Sequence, residues 1–164
     1  MPLAFSPFVP ITHRPALPDD ATALAQVYAA YDVIEFGQPE MELSDIESML
    51  AVEDSDRFVV EDGELVGFVD LAANGEVETL VDPSYAGAKD MQGELLTWAV
   101  KRARERGIAR LEHWSGTLPT SAAPVLTAAG FEPARTMWRM HRDLGGELPV
   151  AVCQFFTSSL MAMK

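Results

Sequence analysis

Glu76, Glu78 and Glu112 are the residues whose type and placing could do chemistry in this 164-residue chain. Glu76 and Glu78 stand at i and i+2 of a short apolar run. A strand there puts both carboxylates on one face, where either could take a proton from a nucleophile. Glu112 lies in a second such run, and its neighbour His113 faces the opposite side of that strand as a core or surface histidine. Cys153 has no His or Asp pattern beside it and sits in the apolar run 149–156, so it reads as a structural thiol. One cysteine excludes an internal disulfide or a cysteine zinc site. His13, His113 and His141 lack the spacing of metal ligands, so no metal is expected.

The whole-chain balance narrows the partners. Net charge is −13, which argues against nucleic acid, because phosphate binding rests on Lys and Arg. The charge is uneven: up to Pro83 there are 18 acidic residues against Arg14 and Arg57 alone, and from Ser84 onward 10 basic against 7 acidic. Such a chain can offer one cation-attracting face and one that tolerates anions, although solubility and helix-dipole compensation account for the same numbers. With 48% hydrophobic residues it suits one globular domain that needs no staples. The opening MPLAFSPFVP is short, lacks Lys and Arg and is broken by three prolines. It fits neither a signal peptide nor a membrane span, and a cytoplasmic protein is the default expectation.

The elements that must position the carboxylates follow from periodicity. A strand over 11–16 leads to Asp19 and Asp20, which can cap a helix carrying Leu24, Val27, Tyr28 and Tyr31 on one stripe. Residues 32–43, with Gly37, Pro39 and four acids, read as an irregular lip over a cleft, and Ser44 and Glu47 as the capping box of a second helix. Asp62-Gly63 and Asn74-Gly75 are hairpin turns joining strands 57–61, 64–73 and 76–81. The longest helix spans 90–106 and stops at Gly107. A strand 110–114, a short helix 120–129 ended by Gly130 and a strand 136–143 complete the order. The expected class is α+β, a mixed and mostly antiparallel twisted sheet with helices on both faces.

A strand ending Val81-Asp82-Pro83, a loop containing Gly87 and a long helix ending at Gly107 resemble the acetyl-CoA motif of the GNAT superfamily of N-acetyltransferases. Leu111 to Gly116, the Ala129-Gly130-Phe131 stop, and Arg135, Trp138, Met140, Arg142 and Leu144 look most like mycothiol synthase and related tandem GNAT proteins. The resemblance covers roughly residues 11–144. It implies two splayed strands, with backbone groups around Leu80 and Val81 pairing with pantetheine. It also implies a loop of Gly87, Ala88, Lys89, Asp90, Met91, Gln92 and Gly93 holding a pyrophosphate at a helix start. The loop departs from the family pattern: with one extra residue, two glycine positions fall on Asp90 and Gln92, and an aspartate repels a pyrophosphate that Lys89 would attract.

Acyl transfer to an amine needs a base, and the resemblance offers Glu78 or Glu112, the latter at the position of the catalytic glutamate of ribosomal-protein alanine acetyltransferases. The family's usual acid, a tyrosine four residues before the Gly-Phe pair, is replaced by Leu126, and Tyr85 could serve only if its loop folded over the thiolate. Trp114 and Trp138 read as core aromatics. Residues 1–144 are expected to form the domain. Residues 145–164, opening with Gly145-Gly146, read as a linker and an apolar strand-like tail, either the start of a partner domain or a strand pairing two copies into a homodimer. Two functions stay open: an acetyl-CoA-dependent transferase acting on a small or cationic primary amine, and a catalytically silent domain of the same fold used for binding or dimerisation.

Overall fold

In a computed structural model, residues 11–116, 122–140 and 155–163 are described, the side chains of 138–140 and 155–159 excepted. Strand β1 (Thr12–Pro15) precedes α1 (Ala21–Phe36) and α2 (Leu43–Leu50). The hairpin-linked β2 (Ser55–Asp62), β3 (Glu64–Ala72) and β4 (Val77–Val81) follow, then α3 (Ala88–Glu105), β5 (Leu111–Gly116), α4 (Ala123–Ala128), β6 (Glu132–Met140) and β7 (Phe155–Met163). The strands form two antiparallel blocks, β1-β2-β3-β4 and β5-β7-β6. Among the described residues no helix is long and apolar enough to cross a membrane.

Strand alternation feeds two cores. Val59, Phe68 and Leu80 meet Leu24, Val27, Tyr28 and Ile46 of α1 and α2 on one face. On the other, Val60, Val69, Leu71, Val77 and Val81 meet Met91, Leu95, Leu96 and Ala99 of α3 and Leu126 of α4. Each fully buried Leu or Phe contributes about 1.5–3 kcal/mol, so both helix layers are held by the sheet between them. The start of α1 is fixed by charge as well. Arg14 donates to both Asp20 oxygens at 2.7 and 2.8 Å and to Glu61 at 2.6 Å, and Asp20 also accepts the Leu17 amide at 2.7 Å.

Several expectations shift. Helix α1 runs on through Asp32 to Phe36 where a lip was expected, because the buried stripe continues with Asp32 and Glu35, whose charges hide the period. Helix α2 is capped by Glu42 and Asp45, the Glu42 amide donating to Asp45 at 3.0 Å, and Ser44 lies inside the helix. Strand β6 starts at Glu132, earlier than expected, with a register shift at Pro133/Arg135. The largest correction concerns the tail. Phe155–Met163 is the middle strand of the second block, paired with β5 on one edge and β6 on the other. Both edges are used within the chain, so this strand is neither outside the fold nor free to join two copies. The readings of residues 1–10, His141, Arg142, Leu144, the Gly145-Gly146 linker, Val150, Val152, Cys153 and the Trp138 side chain lie outside the described residues.

The two blocks meet at one parallel bridge between Glu76 and Glu112, where the Glu112 amide donates to the Gly75 carbonyl at 2.9 Å. Gly75 makes this approach possible: its φ is +88°, and a Cβ would run into the Arg110 carbonyl. Gly63 in the neighbouring hairpin has φ +77° and open space around it. Gly63→Ala should therefore cost only the left-handed backbone strain, about 1–2 kcal/mol. Gly75→Ala should cost about 1–3 kcal/mol more through the clash at the seam. Urea denaturation of the two variants checks this, and equal losses would show that the seam yields freely.

Candidate active-site cleft

Beyond the Gly75 seam, β4 and β5 part. Val81 lies in a non-hydrogen-bonded position opposite Gly67, with Asp82 donating to Val66 at 2.9 Å, so the N–H and C=O of Val81 point away from β3 into the opening. Leu80 turns the other way, its backbone toward Phe68 and its side chain into the α1 core. A cavity of about 250 Å³ opens there. Val81, Ala88, Lys89 and Gln92 form one wall, Tyr31, Ile34 and Glu35 of α1 the second, and Ala122 and Val125 the third. Helix α3 begins at the cavity. Met91 donates to Gly87 as its first intrahelical bond, which leaves the Lys89 and Asp90 amides without helical acceptors. Gly87, with φ +92° and nothing near its Cα, lets another group come close. An extended polar chain could pair with Val81 while its anionic end meets these amides.

The inner end of the opening is closed by three side chains. The Gln92 amide donates to the Thr79 carbonyl at 3.3 Å and to the Thr79 hydroxyl. That hydroxyl lies 2.8 Å from His113 Nε2, which also accepts the Thr79 amide at 3.3 Å. Burial holds the His113 pKa down to about 4, so the ring is neutral and Nε2 can accept. The backbone of Thr79 is thus occupied from both sides, and the next outward pair, at Val81, is the first left open.

Across β4 the surface is acidic. Glu78 faces Asp70 on β3 and opens into a recess of about 280 Å³ shared with Met49, Glu76 and Trp114. Glu78 is exposed at the mouth of the recess; the protein crowded around it pushes its pKa up by desolvation, a shift that solvent partly screens. The Tyr28 hydroxyl offsets part of that burial, whereas Asp70, Glu76 and Asp32 add to it by like-charge repulsion. Arg57 approaches Asp70 at 3.6 Å, and the Arg135 guanidinium sits 5.4 Å from the Trp114 ring centre. Glu112 faces outward and is paired with Arg110 at 2.8 Å.

The structure gathers Val81, Ala88, Lys89 and Gln92 at one cavity, puts Gly87 directly before Ala88 as the residue that opens α3, and leaves the other expected donor residues elsewhere. Met91 is buried in the α3 core. Asp90 is exposed in the first turn of α3, and with Gly93 it borders a shallow outer recess. Leu126, at the family's acid position, is fully buried, and the Tyr85 hydroxyl donates to Asp62 at 3.1 Å on the hairpin. Among the described residues no group of three or more His, Cys, Asp or Glu is arranged to hold a metal.

Glu35 was missed by the sequence reading. It is 6% exposed, and its Oε1 has no hydrogen-bond partner among the described residues. Its signal was its spacing, since Leu24, Tyr28, Tyr31 and Glu35 follow one another at three and four residues.

No family model matches the chain and no curated protein sequence matches it. Solved structures do. The protein yncA of Salmonella typhimurium, described as an acetyltransferase and solved with its cofactor acetyl-CoA, superposes with TM-score 0.68 at 16% identity over 94% of this chain and 93% of that one. An acetyltransferase of the GNAT family from Streptococcus pneumoniae gives 0.66 at 18% identity over 94% and 99%. The ribosomal-protein-S18-alanine N-acetyltransferase of Escherichia coli gives 0.69 at 17% over 93% and 92%. At these identities it is the architecture that is shared: the chain has the GNAT N-acetyltransferase fold.

Proposed function

We propose that this protein is an acetyl-CoA-dependent N-acetyltransferase whose acceptor is a small cationic primary amine. The observation that carries the reading is the cavity itself, with free backbone groups of β4 and α3 on one wall and the acid-bearing face of α1 on the other. The residues present fit the donor. Val81 would pair with the pantetheine arm, the Lys89 and Asp90 amides and the Lys89 ammonium would hold the pyrophosphate, and Ala122 and Val125 would line the arm. Asp90, being exposed, repels that anion only through screened solvent. Acetyl-CoA would supply an activated acetyl thioester. The chain's own part is to bind and deprotonate the amine.

Glu78 is the better base of the two expected. It is open to the acidic recess, and with a pKa near 7 it can both accept and release a proton at neutral pH. Glu112 is engaged by Arg110 and tied into the seam. The likeness of 111–144 to mycothiol synthase supports no particular acceptor, and the acidic face is what favours a cation. A second reading, a silent domain of this fold, is favoured by one feature: Gln92 and His113 fill the inner end of the opening, where the family pattern would leave glycine at Gln92.

Thiol release from acetyl-CoA with a panel of primary amines tests the proposal. Parent protein should release thiol at a rate that rises with pH and levels off above about 7. Glu78→Gln should lose about 100-fold or more in kcat, together with that limb. No release with any amine, and no calorimetric binding of acetyl-CoA, would support the silent domain.

A linked prediction concerns stability. A carboxyl whose folded pKa is raised contributes stability below its unfolded value of 4.5 and loses it as pH rises toward about 7. Glu78→Gln should therefore gain stability relative to parent across that window, as thermal melts at the two ends would show.

A further inference from the structure

A carboxylate oxygen buried without a hydrogen-bond partner among the described residues borders the cavity, and its position suggests what it is for. Glu35 lies at the last turn of α1, with its carboxylate across the end of β5 at Gly116. A Cβ on Gly116 would overlap the carboxylate oxygens, so only glycine there lets Glu35 take this place. The side chain is 6% exposed, it borders the cavity, and Oε1 has no hydrogen-bond partner among the described residues. An unpaired carboxylate in such a place lowers stability, because its desolvation is not offset by a bond. Burial accordingly raises its pKa. Tyr31 and Ile34 stand beside it on α1, and the other walls carry apolar Val81 and Val125 together with Gln92 and the cationic Lys89.

We infer that Glu35 is the acceptor-recognition residue, binding the ammonium group of a primary amine whose apolar tail packs on Tyr31 and Ile34. This deepens the proposed transferase reading and rests on it for the identity of the ligand as acceptor. The roles of the two carboxylates differ. A primary ammonium has three N–H donors, so Glu35 can hold it by charge while Glu78, in the recess across β4, takes one proton through intervening water. As the C–N bond forms and the thioester carbonyl becomes an oxyanion, positive charge returns to nitrogen and Glu35 again faces a cation. Glu78 hands its first proton to solvent and takes the second from that nitrogen as the C–S bond breaks; the departing thiolate takes one proton from solvent, so one proton is released net.

The test compares binding of phenethylammonium chloride with its uncharged counterpart 2-phenylethanol, without donor, by calorimetry on the full chain. Parent protein should prefer the ammonium by roughly tenfold or more, the scale of one charge-assisted hydrogen bond. Glu35→Gln, which keeps the shape and removes the charge, should lose most of that preference. It should melt at the same temperature as parent or higher, because an unpaired buried carboxylate has been removed. Gly116→Ala should lose the preference too, since the added methyl displaces the carboxylate. In the transfer assay Glu35→Gln should raise KM for the amine and leave KM for acetyl-CoA unchanged.

An equal preference in parent and Glu35→Gln, or a melt that falls while the preference stays, overturns the assignment. Transfer that proceeds in Glu35→Gln with an unaltered amine KM removes Glu35 and leaves the transferase standing. A Glu35-dependent ammonium preference with no transfer to any amine does the reverse.

Discussion

The separation of β4 from β5 is the constraint on which the other features depend. Two antiparallel blocks share a single parallel bridge, and the hydrogen bond from Glu112 to Gly75 is where the sheet is still one sheet. Past Thr79 and His113 the described residues of the two strands share no hydrogen bond. Backbone groups that would be satisfied in a continuous sheet are left facing a cavity, a cost a fold accepts only where water or a ligand can reach them. The start of α3 opens onto the same place, and its first amides are unpaired for a different reason, the geometry of a helix end.

The two faces of the opening differ in charge. The acids of the N-terminal half gather around β4: Asp32 and Glu35 from α1, Asp70 from β3, and Glu76 and Glu78 on β4 itself, with Arg57 as the nearby cation. Some of these acids organise the scaffold. Asp32 accepts the Glu40 and Met41 amides at 2.8 and 3.2 Å and so shapes the α1–α2 connection, and Asp54 and Asp56 hold Arg106 and Arg102 at the end of α3. Glu35 and Glu78 are different. One has a buried oxygen with no hydrogen-bond partner among the described residues and the other has its pKa pushed up, and carboxylates kept in such surroundings commonly mark a site of function.

Much of the architecture was legible because local rules agreed with the global fold. Asp62-Gly63 and Asn74-Gly75 marked their hairpins, since a left-handed turn residue is a local requirement, and the apolar band of 95–103 marked α3. Val81 ends β4, and Lys89 and Gln92 lie in the first turns of α3 where the sequence suggested a loop; all three border the cavity. The misses share one cause, namely non-local information. Nothing in 155–163 says that it inserts between β5 and β6, because pairing with two strands that do not pair with each other is set by the whole sheet. The end of α1 read as a lip because Asp32 and Glu35 look like surface residues until their burial is seen. Leu80 was grouped with Val81, although strand alternation gives their backbone groups to opposite neighbours.

The central claim is that the opening at Val81 and the start of α3 receive one extended anionic ligand. Titrating acetyl-CoA into isotope-labelled protein and following backbone amide resonances tests it directly. The account predicts saturable shifts centred on Val81, Lys89 and Asp90. Resonances at these three positions that stay put at millimolar acetyl-CoA, or move only along with distant surface amides, would contradict it.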